Sequence, residues 1–265
     1  MSSEEIVFEI ADGIATIRLN RPERMNAFTD EMIDRWADAI ETCRREERVR
    51  AVVLTGTGKA FCAGGDVRAM RARHLEGETA YQRKQSLYDR ILRIPRLLDD
   101  FDKPYIVAIN GVATGAGLDM ALMGDIRFAA ESARMAESYI KVGLVAGDGG
   151  SWYLPRLIGV PRALELLWTG DFIDAKEAER IGLVNKVLPD EELLTHTYAF
   201  ARRLAAAPAL TLRLMKRAVY QGLRMDLRAS LDMVSSHLGV ISTTNDHREA
   251  VAAFNEKRPP SFTDS

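Results

Sequence analysis

The chain has 265 residues, enough for one large domain or one domain with a small appendage, and a core of that size needs neither disulfides nor metals. Hydrophobic residues make up 47% and charged residues 28%, and the formal net charge of -2 argues against a general electrostatic affinity for nucleic acid or anionic membrane. Two cysteines, Cys43 and Cys62, lie outside any CxxC pair, which speaks against a disulfide framework or zinc site and fits a reducing cytoplasm.

The first ten residues are acidic and have no basic region ahead of an apolar stretch, so no secretory signal is expected. Residues 7–10 and 14–19 are short β-type runs separated by Asp12-Gly13, the pattern of a hairpin. After the loop NRPERMNAF (20–28), Thr29 is placed as an N-cap, with Asp30 and Glu31 in the first turn. Met32, Ile33, Trp36, Ala37 and Ile40 recur at helical spacing and predict a helix to about Arg45. Residues 51–54 read as a buried strand. A helix is expected over 79–98, with Leu87, Ile91, Ile94 and Leu98 on one face and Pro95 kinking or interrupting it. A strand at 105–109, a Gly-rich turn, a helix to about Met123 and a strand at 125–129 follow. The stretch 105–124 is apolar, but it carries Asn110, Asp119 and several glycines and makes a poor membrane span.

This alternation predicts an α/β arrangement. Beyond Gly149 the pattern turns nearly all-helical: Pro161 suits the first turn of a helix to Trp168, residues 184–188 form a lone late strand, and 191–255 read as helical only.

Two segments carry chemistry. FCAGGDV (61–67) follows a strand and loop, and paired glycines let backbone N–H groups come close to a ligand; a tight turn would explain the same residues. NGVATGAGLDMALMGDIRFA (110–129) leads small residues from a strand end into a helix, whose first N–H groups have no internal partner and suit an oxyanion or phosphate. Close packing of helix on strand is the alternative there. Neither run is a GxGxxG fingerprint, and GTGKA (56–60) lacks the spacing and the Ser/Thr of a P-loop. His74, His196, His237 and His247 fall outside these segments, Ser151 has no GxSxG elbow, and no metal cluster is visible.

Taken together, FCAGGDV, INGVATGAGLDMALMGDIRFA and KVGLVAGDGGSWYLPRLIG resemble the crotonase (enoyl-CoA hydratase/isomerase) superfamily. NRPERMNAF, GDFIDAKEAERIGLVNKVLP and HREAVAAFNEKRPPSF extend the resemblance over almost the whole chain, in order. It implies a spiral of ββα units over residues 1–195 and a helical trimerisation segment over 196–265. The implied assembly is a homotrimer or a dimer of trimers, and the substrate an acyl-CoA thioester. No metal and no separate cofactor are implied, since coenzyme A is part of the substrate, and no nucleic acid or membrane partner is expected.

Carried over by motif, the thioester oxyanion would be held by the backbone N–H groups of Gly65 and Ala116. The family usually has three glycines where this sequence reads Gly115-Ala116-Gly117, a mild change because only the N–H is used. The larger departures are in the acid–base pair. Family hydratases carry two glutamates, and the matching positions here are Asp119 and Tyr139. Asp119, three residues beyond the second donor, faces the site or is a helix-face Asp bonded to backbone or arginine. Tyr139 donates a hydrogen bond or packs at a strand end, and Glu137, two residues away, is a weaker candidate on the same face of an extended segment. Asp148 stands where hydratases commonly have a small residue; it serves as an acid–base group, caps the helix beginning at Gly149 or Gly150, or does both.

Substrate contacts are expected from Arg24, Met25, Ala27, Ala63, Gly64, Gly65, Asp66, Val67, Val112 and Gly115. Arg21 and Arg24 either meet the nucleotide phosphates or stay solvated, and residues 68–78 would form a flap. The leading expectation is hydration of a 2-enoyl-CoA to a 3-hydroxyacyl-CoA. Alternatives are an acyl-CoA double-bond isomerase or C–C hydrolase using Asp119 or Asp148, and a non-catalytic acyl-CoA-binding member.

Overall fold

The computed structural model describes residues 4–66 and 77–263. It opens on the expected hairpin, β1 (Ile6–Ala11) antiparallel to β2 (Ile14–Leu19), closed by Asp12 and Gly13, both at positive φ as a two-residue turn of this hand requires. α1 (Asp30–Arg45) follows, its first turn held by the Thr29 hydroxyl accepting from Met32 N–H at 3.0 Å.

From there the chain repeats one plan. A long strand joins a large sheet, a short strand joins a second sheet, and helix follows. The first unit is β3 (Ala51–Gly56), β4 (Ala60–Cys62), α2 (Ala80–Asp89) and α3 (Arg93–Asp99). The second is β5 (Tyr105–Ile109), β6 (Val112–Thr114) and α4 (Ala116–Leu122). The third is β7 (Ile126–Ala130), β8 (Arg134–Ala136), a 3₁₀ turn (Ser138–Val142), α5 (Gly150–Ile158) and α6 (Val160–Thr169). β9 (Ile173–Asp174), α7 (Ala175–Arg180) and β10 (Lys186–Leu188) complete the sheets.

The large sheet runs β1-β2-β3-β5-β7-β10 and is parallel from β2 onward; the small one runs β4-β6-β8-β9. This is the ββα spiral. The short strands of the small sheet are absent from the sequence expectation because two or three residues show no alternation to count.

β3 and β5 are buried at every position, in keeping with their unbroken apolar runs, because helices cover the sheet. α1 packs on β1 and β2, and α8 (Leu193–Ala205) packs on β3, β5 and β7. The division expected after residue 195 falls inside α8. α9 (Ala209–Gly222), α10 (Leu227–Ile241) and α11 (Asn245–Glu256) follow. Cys43 and Cys62 are free and buried. Among the described residues no helix is long and apolar enough to cross a membrane.

Two boundaries differ from expectation. The helix foreseen over 79–98 is two helices, and the break lies at residues 90–92 rather than at Pro95. In a continuous helix the Pro95 ring would strike the carbonyl four residues earlier, that of Ile91, so the chain opens there and Pro95 sits in the first turn of α3, where no N–H is needed. Tyr139 stands in a 3₁₀ turn, not at a strand end, so alternation along an extended segment does not apply to Glu137 and Tyr139.

Candidate active site

The site forms where the two Gly-rich segments press together. The loop after β4 is tied to the NRPERMNAF loop: Ala63 N–H donates to Met25 O at 2.9 Å, and Phe28 N–H donates to Gly64 O at 2.8 Å. Gly64 has φ +86°, and a side chain there would meet Thr114 O at 3.0 Å and Ala116 N at 3.3 Å. A Cβ on Gly117 would lie 2.2 Å from Cys62 O, so α4 starts directly against the β4 backbone. Gly115, at φ 51° and ψ −127°, turns the chain so that Ala116 begins α4. Neither the Gly65 N–H nor the Ala116 N–H donates a hydrogen bond among the described residues.

Both line a cavity of about 350 Å³. Its apolar wall includes Phe28, Ile33, Leu87, Ile91 and Leu144; its polar wall includes Tyr139, Asp148 and Arg83. Leu87 and Ile91 come from the helical face noted in the sequence, but only the fold turns that face toward Gly65.

Behind the polar wall lies an acidic cluster. Tyr139 Oη is 2.6 Å from Asp119 Oδ2 and 2.9 Å from Asp148 Oδ2, and Asp148 N–H donates to Asp119 Oδ2 at 3.1 Å. Asp119 has no solvent exposure and does not line the cavity, whereas Asp148 does. Asp148 makes no cap: α5 is preceded by Gly149, which has no side chain to bond the first turn. Gly150 is required by Asp119, whose Oδ1 lies 2.0 Å from where a Cβ would stand.

Glu137 is also fully buried, and neither of its oxygens has a hydrogen-bond partner; Asp119 Oδ1 has none either. Burial raises Asp119 from 3.8 to about 6, with the Tyr139 hydroxyl opposing and the Asp148 charge adding to the rise. Burial, reinforced by Asp119, pushes Glu137 up to about 10. Asp148 is raised by burial against the pull of Tyr139 and Arg83. Tyr139 is raised by burial and by both aspartates, so it remains a phenol.

Gly65, Ala116, Tyr139 and Asp148 therefore share one cavity, with Ala63, Gly64, Asp66 and Gly115 on the same wall. Arg24, Met25, Ala27 and Val112 do not line it. Val67 and most of the expected flap lie outside the described residues. Arg21 is engaged with Glu5 at 2.9 Å and with Ala27 O, leaving Arg24, exposed, as the less committed guanidinium of that loop.

The sequence model of the family described as enoyl-CoA hydratase/isomerase matches residues 9–265. The chain belongs to the enoyl-CoA hydratase/isomerase family. Among its relatives in this family, a Rhodobacter capsulatus protein named "Probable enoyl-CoA hydratase" is 38% identical over 99% of both chains. The 1,2-epoxyphenylacetyl-CoA isomerase of Escherichia coli is 36% identical over 98% of both. The crystal structure of an enoyl-CoA hydratase from Mycobacterium smegmatis superposes with a TM-score of 0.91 at 32% identity, covering 98% of this chain and 99% of that one. The family thus includes hydratases and isomerases at similar distance from this chain, and its acid–base groups must be judged on their own geometry.

Proposed function

We propose that this protein adds water across the double bond of a 2-enoyl-CoA thioester, giving a 3-hydroxyacyl-CoA. The observation that carries the proposal is the pair of undonated N–H groups, Gly65 and Ala116, opening on the same cavity as Tyr139 and Asp148. A thioester oxygen accepting from both would gain most when it becomes an enolate oxyanion, and one such donor is worth about 2.7–4 kcal/mol. Asp148 takes the proton of the attacking water and returns a proton to the α-carbon, with Tyr139 as its hydrogen-bond partner. Coenzyme A enters as part of the substrate, and the reaction calls on no other cofactor. Arg24 and the Met25–Ala27 loop would meet the CoA portion outside the cavity. The enzyme would work in the cytoplasm, where buried thiols stay reduced, as a homotrimer or a dimer of trimers built on its C-terminal helices.

One observation favours a second reading. Of Asp119, Glu137 and Asp148, Asp148 alone lines the cavity. A single carboxylate suffices to move a proton from one carbon to another, which is double-bond isomerisation.

Crotonyl-CoA separates these readings. Hydration removes the conjugated enoyl absorbance and yields the 3-hydroxyacyl thioester, and Asp148→Asn should slow it by about 10²–10⁴. No hydration, with α-proton exchange in D₂O and conversion of a 3-enoyl-CoA, means isomerisation. Tight binding with no turnover across a panel of acyl-CoAs would overturn both.

A further inference from the structure

Tyr139 has one hydroxyl proton and two carboxylate oxygens within hydrogen-bond distance, at 2.6 and 2.9 Å. The proton can point at only one of them. The other contact brings a phenolic oxygen and a carboxyl oxygen together, and it is attractive only if that carboxyl group supplies its own proton. Tyr139, Asp119 and Asp148 therefore hold two protons among them. In one arrangement Asp148 is the acid, donating to Tyr139, while Tyr139 donates to ionised Asp119. In the other Asp119 is the acid and Tyr139 donates to ionised Asp148. The two interconvert when two protons hop along the row, and the net result is one proton moved between the cavity wall and a carboxyl group with no solvent exposure.

Glu137, which interacts with Asp119, is fully buried with both oxygens unpartnered, and the Asp119 oxygen not used by Tyr139 is unpartnered too. An ionised Glu137 would set an uncompensated charge in that environment beside a second carboxylate. A neutral Glu137 has a proton to offer Asp119 Oδ1.

We propose that Asp148, Tyr139 and Asp119 form a proton wire, and that Glu137, kept neutral beside Asp119, is the positioning residue that fixes where the spare proton rests. This rests on the acyl-CoA chemistry proposed above. Starting with Asp148 as the acid, its proton passes to the Tyr139 oxygen as the Tyr139 proton passes to Asp119, and Asp148 is left ionised at the cavity wall. Asp148 then takes a proton from water or from a substrate carbon and gives it back to the substrate while the proton on Asp119 stays in place. The reverse hop restores the acid form of Asp148, so no proton is gained or lost. Burial favours a neutral Glu137, and among the described residues Arg83 on α2 is the cation whose charge acts on Asp148.

The test uses the full-length protein and two readouts. The first needs no turnover. The infrared C=O stretch of a buried carboxylic acid should persist through neutral pH and lose one component in Glu137→Gln; a spectrum unchanged by that substitution overturns the neutral Glu137. The second is the acid limb of kcat against pH. Glu137→Leu removes a donor to Asp119 and should move the limb up by about one pH unit, and Glu137→Gln, which keeps a neutral donor, should restore it. A downward shift in Glu137→Gln would mean that Glu137 is an anion and would overturn the proposal. That sign is readable even if the leucine variant fails to fold. Tyr139→Phe should cut kcat by about 10² or more with little change in KM, and an unchanged kcat would remove the wire. Absence of acyl-CoA turnover by the wild-type protein would count against the proposed function, whereas the infrared result stands apart from it.

Discussion

Asp119 carries its carboxyl group with no exposure to solvent, and burial raises it from 3.8 to about 6. In the unfolded chain an aspartate ionises near 3.9, so between these values the folded state binds the extra proton. Stability is therefore fully present below about pH 4 and declines as pH rises through about 6. The difference amounts to on the order of 3 kcal/mol, the cost of ionising a buried group. Asp119→Asn removes that cost. Its unfolding free energy relative to wild type should be more favourable at pH 8 than at pH 4, by a few kcal/mol, while turnover falls. Denaturant titrations at the two pH values check the sign, and a difference independent of pH would show that Asp119 ionises in the fold as easily as in the unfolded chain. Asp119, Tyr139 and Asp148 were all legible as candidates in the sequence, because each stands in a segment with family-like spacing. Their connection was not. A hydrogen bond between residues 119 and 139, and another between 139 and 148, depends on how α4, the 3₁₀ turn and the loop before α5 converge. Glu137 appeared as a weaker candidate on an argument about extended backbone; its burial is the property that matters, and burial is set by the neighbours that fold over it.

At the scale of elements, long segments with a clear period read well and short ones did not. The hairpin, α1 and the buried strands β3 and β5 stand where periodicity and turn residues put them, because each carries enough residues for a pattern to accumulate. The small sheet holds the site yet consists of strands of two or three residues, too short for any pattern. What anchors its first strand is a loop residue, Asn26. It is fully buried at φ 56°, a conformation that asparagine tolerates better than most side chains. Its amide donates to Thr57 O, Ala60 O and Phe61 O at 3.0, 2.8 and 3.1 Å, and its Oδ1 accepts from Arg21 N–H at 2.8 Å. Asn26 thus joins the NRPERMNAF loop to β4, from which the chain runs to Gly65. Asn26→Ala removes a donor from Thr57 O and Phe61 O and the acceptor of Arg21 N–H, while Ala60 O keeps only its longer bond from Asn110 Nδ2, and it should cost about 3 kcal/mol in a denaturant titration. Because the loop also sets the line of Gly64 and Gly65, KM for an acyl-CoA should rise even where the variant is fully folded.

At the scale of the whole molecule, the C-terminal helices leave a large apolar surface uncovered among the described residues. Helices α9 and α10 bury no residue in the single chain, although they are 14 and 15 residues long. α9 exposes Met215 and Val219 and runs into exposed Leu223, a row at four-residue spacing; α10 exposes Leu227, Leu231 and Leu238 on one face. The two helices pack on each other, so these rows face away from the pair or lie along its rim. The sequence showed helical spacing here but could not show what covers it, since an apolar stripe looks the same whether it meets its own core or another subunit. A monomer seldom leaves so many large side chains in water, and the formal net charge of -2 offers little repulsion against self-association. Assembly through this face would bury the stripes. Leu231→Glu combined with Leu238→Glu puts two charges into that contact, where desolvation is costly and neither has a partner. Sedimentation velocity should then show a smaller species than wild type, with the helical circular dichroism retained because neither leucine supports the core of its own chain. An unchanged sedimentation coefficient would mean that α10 lies outside any contact between copies, and the apolar row of α9 would have to account for any self-association.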